Sequence, residues 1–355
     1  MERRRTEIGI SNKDRIDLLN ENKSLSFEDW NILLSTWTED DYEYSAALAR
    51  ETALGIFGRK IFFRGIIEFT NICKNDCLYC GIRKSNSALA RYRLTKEDIL
   101  SCCREGYELG YRTFVLQGGE DGHYSDDLMT EIISDIRVSY PDCAITLSIG
   151  EKSRASYERF FNAGADRYLL RHETADSFHY SRLHPPELSL SSRMDCLRNL
   201  KDIGFQTGCG MMVGSPYQTV ENLAEDMIFL AEFKPQMVGM GPFIPHKDTP
   251  FRDFPPGSSE LTLFLLSLVR IMLPRTLLPA TTALGSIRED GRLKGILSGC
   301  NVIMPNLSPL SVRKKYLLYN NKAGTDTGPE ESLNMLKQQV KKIGYEISSE
   351  RGDYK

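Results

Sequence analysis

Cys73-Lys74-Asn75-Asp76-Cys77-Leu78-Tyr79-Cys80 carries three cysteines spaced by three and then two intervening residues. Thiolates this close can hold one metal centre from a single loop, without help from the rest of the chain. A four-cysteine zinc or cluster site would want a fourth ligand, and none lies nearby. Three ligands on a cubane-type 4Fe-4S cluster leave one iron without a protein ligand, and an open coordination position is where chemistry happens. A structural zinc or a set of unrelated thiols is the plain alternative. The spacing, the aromatic Tyr79 before the last cysteine and the strand-like run just upstream weigh against it.

That upstream run, Ile61–Thr70, reads as a strand. Beyond the loop, short β-branched or apolar runs alternate with longer amphipathic stretches. Arg112–Gln117, Cys143–Ile149, Asp166–Leu170, Gln206–Val213, Met237–Gly241, Leu278–Thr282 and Val302–Met304 read as strands. Helices are predicted from Thr95-x-x-Asp98 and over Ser125–Ser139, Arg154–Ala163, Ser191–Ile203, Thr219–Phe233, Glu260–Met272 and Gly291–Leu297. Eight such units at roughly 30-residue spacing predict the α/β class, with a parallel sheet closed into a (β/α)8 barrel of the TIM type. A doubly wound open sheet is the runner-up. Residues 1–58 read as an N-terminal helical extension over one end of the barrel, with helix starts at Ser26-x-x-Asp29 and Thr38-x-x-Asp41. The barrel is expected over 59–310. A C-terminal segment, 311–355, carries an amphipathic helix over Glu330–Ile343.

The 355 residues, 41% hydrophobic and 26% charged, have an ordinary globular composition. A net charge of −3 argues against nucleic acid or an anionic membrane as the main partner. Met1-Glu2-Arg3-Arg4-Arg5 leads into polar residues with no apolar stretch, so no signal peptide is read. No apolar run reaches the ~18 residues of a membrane span. The expected location is cytoplasmic, where nine cysteines are thiols or metal ligands rather than disulfides. Cys102, Cys103, Cys143, Cys196, Cys209 and Cys300 are scattered and read as packing residues.

In a parallel barrel the active residues sit where strands end. Gln117-Gly118-Gly119-Glu120 ends the second strand, where backbone groups can hold the amino group of a small amino acid; a tight turn is the alternative. Thr146 and Ser148 end the third and share one face, towards either the lumen or the helices. Arg171-His172-Glu173-Thr174 ends the fourth. Arg171 suits a carboxylate or other anion, and Glu173 an ammonium or ribose hydroxyl, unless the two simply pair. His172 reads as scaffold. Arg193 opens the next helix, where a carboxylate would also meet the helix N-terminus. Met211–Pro216 and Gly239–His246 are rigid turns suited to a flat ring or ribose. Met237, Thr281, Thr282 and Met304 are candidate lumen residues, with core packing the alternative. Tyr316 and Tyr319 follow the eighth strand and can close the mouth, as an ordinary amphipathic helix would also place them.

A Cys-x3-Cys-x2-Cys loop after the first barrel strand, with a Gly-Gly-Glu turn on the second, resembles the radical S-adenosylmethionine (SAM) superfamily. The resemblance implies one 4Fe-4S cluster on Cys73, Cys77 and Cys80, an iron that chelates SAM, and reductive cleavage to a 5′-deoxyadenosyl radical. Cys77–Arg83, Arg91-Tyr92-Arg93, Thr146–Glu151, Asp166–Thr174, Gly239–His246, Pro279–Ala283 and Asn301–Asn306 together resemble the FeFe-hydrogenase maturases of the HydE family, over roughly residues 60–320. That family implies SAM contacts at Glu173 and Arg193. Tyr79, Gln117, Gly118, Gly119, Glu120 and Ser148 stand with them as candidate cofactor contacts. It implies a substrate cavity lined by Thr146, Arg171, Met237, Met304, Tyr316 and Tyr319, with Thr281 and Thr282 as further candidates. The implied substrate is an organometallic iron complex of cysteine, carbon monoxide and cyanide, handed over by another maturase. An electron donor such as ferredoxin or flavodoxin is also implied. Some members carry extra cysteines after the eighth strand; Tyr319–Glu331 has none, which predicts a single cluster. Methylornithine synthase is the near rival. Biotin synthase ranks lower, because Cys143 and Cys209 lack a partner on the second strand. A non-enzymatic iron–sulfur carrier or scaffold is the alternative of a different class.

Overall fold

A computed structural model of the chain describes residues 10–355. The Met1–Arg5 run lies outside them. Eleven strands are present among the described residues: β1 (Lys60–Phe63), β2 (Gly65–Thr70), β3 (Thr113–Gly118), β4 (Ala144–Ser148), β5 (Arg167–Leu169), β6 (Gln206–Cys209), β7 (Met212–Val213), β8 (Met237–Val238), β9 (Gly241–Pro242), β10 (Val302–Ile303) and β11 (Glu346–Ser348). β2, β3, β4, β5, β6 and β8 run side by side, all parallel. Three parallel bridges complete the ring: Met237 to Leu277, Pro279 to Val302 and Asn306 to Ile66. The sheet is therefore a closed barrel of eight positions, and the open-sheet alternative falls. Its strands are buried almost throughout, as a parallel sheet covered by helices requires.

Three departures from the predicted strands have local causes. The first strand is interrupted at Arg64, where its second neighbour changes from β11 to β3. Its pairing with the eighth strand runs on, through Arg64 N–H to Ile303 O and Ile66 N–H to Pro305 O. The fifth strand stops at Cys209, because Gly210 turns with φ +150° against Gly239 O; Met212–Val213 then pairs with β9 instead. The seventh shrinks to its two bridges around Pro279, which has no N–H for the ladder.

The N-terminal helices form where the caps predicted. Ser26 Oγ accepts from Asp29 N–H, and Thr38 with Asp41 closes a capping box. They do not lie over one end of the ring. Phe27–Thr36 packs on the helix Val220–Phe233, and Glu39–Phe57 on Ser259–Met272, so they form an outer layer on its flank. Ser45 and Ser267 hydroxyls meet across the second contact at 2.7 Å.

The C-terminal tail closes the lower end of the barrel, opposite the cysteine loop. β11 extends the sheet beside β1. The next residues fold under the ring, where Gly352 (φ +62°) lies against the Phe62 ring. Fully buried Arg167 donates to the carbonyls of Arg351 and Gly352 and to Asp353 Oδ1 at 2.7 Å. Burial opposes charge on Asp353, but Arg351 and Arg167 outweigh it and bring its carboxyl down to about 2. A carboxylate with a lowered pKa contributes stability above its unfolded value of 3.8 and loses it as pH falls towards the folded value. Acidification from pH 4 to 2 is therefore expected to release residues 349–355, seen as faster amide exchange there than in β3 or β4.

Candidate active site

The cysteine loop leaves β2 at Thr70 and is folded around one side chain. The Arg91 guanidinium donates to the carbonyls of Asn71 (2.5 Å), Ile82 (2.9 Å), Arg83 (2.6 Å) and Asn86 (3.1 Å). Asp76 braces the middle of the loop, taking bonds from Arg83 and Ser85 that hold its carboxyl far below the usual range. Leu78 N–H reaches Leu183 O, so the helix Ser177–Leu183, which the strand pattern did not predict, backs the loop. Tyr79 hydroxyl lies 3.2 Å from His184 Nε2. Burial lowers His184 to about 3, and its Nδ1–H donates to Tyr180 O, so Nε2 accepts from Tyr79. Replacing Arg91 by Ala frees these carbonyls, and that of Lys84, at once. Arg91→Ala is expected to cut cluster loading roughly 10-fold or more while the barrel still folds; iron content and the melting temperature check both.

Cys73, Cys77 and Cys80 are half-buried, with no disulfide. Burial pushes all three thiols up, Cys80 to about 12, and the charges of the neighbouring sulfurs add to the rise at Cys77. Three thiolates here need a cation among them. Three half-buried thiols on one loop, with no fourth cysteine beside them, are a soft donor set suited to an iron–sulfur cluster with one iron left open. The loop fits a cluster.

The strand ends surround this loop. Gly119 has a direct reason to be glycine: a Cβ there would sit 2.2 Å from Ile72 O and 2.8 Å from Cys73 Cβ. The close approach at Gly118-Gly119 is thus by the protein's own strand and cysteine loop. Glu120 faces the same loop, with Lys74 Nζ at 3.1 Å, and accepts from Glu151 N–H. Thr146 and Arg167 are register partners. Period-two alternation puts Thr146 and Ser148 on the same face as Arg167, Leu169 and Arg171, and Tyr168 on the helix side against Tyr157. The lumen reading of Thr146 and Ser148 is the one the register supports. Thr146 Oγ1, Thr281 Oγ1 and Arg171 Nε have no hydrogen-bond partner. Gln117 Nε2 donates to the buried Tyr316 hydroxyl, 3.3 Å away. Tyr316 and Tyr319 lie in a turn beyond the short helix Leu310–Arg313, so helix periodicity does not place them. Met237 sits lower, packed with Phe62, Leu277 and Val302, its sulfur 3.1 Å from Arg64 Nη1; half-buried Met304 borders the same group. Thr282 starts a helix, Thr282–Ile287, that the strand pattern had read as strand end.

Glu173 is buried and backbone left-handed, φ +68°. Its Oε2 lies 2.9 Å from Arg171 Nη2 but is not aligned for a hydrogen bond, so both keep free bonding capacity. Arg193 is the fourth residue of the helix Leu190–Ile203 rather than its opening, and it donates to Glu151 Oε1 (2.6 Å) and Arg171 O (2.7 Å). It ties the third strand end to the fourth. Glu151 gained no role from the sequence, nor did Glu68. Glu68 is buried in the lumen, paired with Lys322 and accepting from Asn306 Nδ2 at 2.8 Å. Its signal was available: one carboxylate inside the apolar run Gly65–Thr70.

The model of the radical SAM superfamily matches residues 67–230. The [FeFe] hydrogenase maturase subunit HydE of Thermotoga maritima is 46% identical over 275 residues, 78% of each chain. This chain belongs to the radical SAM superfamily. It is an enzyme, and radical SAM enzymes use a 4Fe-4S cluster and SAM. A 3-methylornithine synthase of Methanosarcina barkeri is 28% identical, covering 82% of this chain and 83% of its own. A biotin synthase of Corynebacterium jeikeium is 27% identical, with 83% of both chains covered. Among solved structures, methylornithine synthase (PylB) superposes with TM-score 0.82 over 94% of this chain and 97% of its own at 24% identity. HydG, a maturase of the [FeFe]-hydrogenase, gives 0.79 over 96% and 77% at 20% identity. Both show the radical SAM barrel fold. No helix of the described residues is long and apolar enough to cross a membrane.

Proposed function

We propose that this radical SAM enzyme acts in assembly of the FeFe-hydrogenase diiron cofactor, on a small iron complex carrying cysteine, carbon monoxide and cyanide. The 46% identity to HydE over 78% of each chain carries the reading. Cys73, Cys77 and Cys80 would hold the 4Fe-4S cluster, which when bound would supply the electron that splits SAM into methionine and a 5′-deoxyadenosyl radical. Glu173 and Arg193 receive SAM beside the loop; Tyr79, Ser148 and the backbone of Gln117–Glu120 border it. Below, Thr146, Arg171, Thr281, Thr282, Tyr316 and Tyr319 hold the substrate, and Met237 and Met304 form the apolar floor. The loop and the closed lower end keep water from the radical. Another maturase delivers the complex, and a ferredoxin or flavodoxin reduces the cluster.

Lumen charge supports this reading over a lysine mutase of the methylornithine synthase type. Lysine needs an acceptor for its ammonium group, and Glu68 is already ion-paired with Lys322 and hydrogen-bonded by Asn306. Arg171 keeps an unpartnered Nε, which suits an anionic complex. A biotin synthase-type second cluster finds no support in Cys143 and Cys209, since strand alternation turns both to the helix side. Anaerobic turnover of the reconstituted, reduced protein with SAM and either the cysteine-bound iron complex or lysine is the test. The expected result is product from the complex alone; product from lysine alone moves the assignment to the mutase.

A further inference from the structure

A glutamate in the left-handed region costs about 1–2 kcal/mol and persists only where its surroundings over-determine it. At Glu173 the restraint comes from its neighbours on both sides. Glu173 N–H donates to Gly210 O at 3.0 Å, and Gly210 N–H returns a bond to His172 Nδ1 at 3.2 Å. Because Nδ1 accepts, the imidazole proton is on Nε2 and points at Asp226 Oδ1, 3.2 Å away. The same oxygen accepts Ala175 N–H at 2.6 Å. His172 and Asp226 are both fully buried, and Phe229 meets the imidazole edge-on at 4.7 Å. Asp226 and Phe229 belong to one helix, Val220–Phe233. One carboxylate oxygen therefore fastens residues 172 and 175, on either side of the strained glutamate.

We propose that Asp226 and His172 are positioning residues that hold the Glu173 backbone left-handed and so aim its carboxylate at SAM. The proposal rests on the reading that Glu173 contacts SAM. It is tested with Asp226→Ala, Asp226→Asn, His172→Phe and Glu173→Gln, each with its cluster reconstituted. SAM affinity is read from the change SAM makes in the reduced cluster's electron paramagnetic resonance, KM and kcat from turnover, and amide exchange over 171–176 in the absence of SAM. Asp226→Ala and His172→Phe are expected to weaken SAM binding and raise KM roughly 10- to 100-fold, with kcat at saturating SAM changed by no more than about threefold. Exchange over 171–176 is expected to quicken in both. Asp226→Asn keeps the accepting oxygen and is expected to stay within about threefold of the unmodified protein. Should Asp226→Ala fail to fold, His172→Phe carries the test, since it keeps a ring of similar volume. Unchanged SAM affinity in both overturns the proposal, as does an Asn variant as impaired as the Ala variant. Loss of affinity in Glu173→Gln with none in the others overturns the proposal alone. Unchanged affinity in Glu173→Gln overturns the role of Glu173, and the proposal with it.

Discussion

Cys77→Ser is expected to lower reductive SAM cleavage to the level of a protein-free control. Under the proposed assignment each of the three thiolates would hold its own iron, so no neighbour could replace a missing one. A serine oxygen is a harder ligand than sulfur and binds iron–sulfur clusters poorly. The other six cysteines are buried away from the loop. The fold has little stake in this thiol, because Arg91 and Asp76 shape the loop through backbone carbonyls and an ion pair. The melting temperature of the metal-free variant is therefore expected to match the parent, within about 1 kcal/mol of stability. Iron content and 5′-deoxyadenosine formation are the measurements. Cleavage at the parent rate contradicts the ligand assignment.

Glu173→Gly is expected to separate stability from function. Glycine adopts a positive φ without steric cost, which relieves about 1–2 kcal/mol of strain, and its extra unfolded-state freedom returns about 0.5–1 kcal/mol of that gain. The buried Oε2 has no hydrogen-bond partner, so removing the side chain orphans no donor beyond the neighbouring Arg171. The variant is expected to melt at the parent temperature or slightly above. SAM affinity is expected to fall roughly 10- to 100-fold, the worth of one hydrogen bond to a charged group. Thermal melts without SAM and titrations with it give the two numbers. Destabilisation beyond about 1 kcal/mol contradicts the strain argument.

What the sequence made readable was whatever repeats or is local. The cysteine spacing, the strand–helix alternation and the caps at Ser26 and Thr38 are short-range patterns, and the barrel follows from them. What it hid depends on residues far apart in the chain. Arg91 looks like a surface cation until five carbonyls converge on it. Asp226 lies 54 residues from His172, on a helix with its own amphipathic reading. Arg167 is fully buried inside a short strand, and its partner Asp353 lies 186 residues further along the chain. The fifth and seventh strands were predicted too long, because Gly210 and Pro279 act through contacts with neighbouring strands that a single run of residues does not display. Gly119 has a second reason to be glycine, the close pass of the cysteine loop, that a single run of residues does not display.

The most direct test of the account is to reconstitute the cluster anaerobically, reduce it with SAM and the cysteine-bound iron complex present, and follow 5′-deoxyadenosine and the fate of the complex. SAM is expected to be cleaved by the unmodified protein, cleavage to be lost in Cys77→Ser, and the complex to be consumed along with SAM. A cluster that reduces fully while SAM stays intact, or SAM cleavage that leaves the complex untouched, contradicts it.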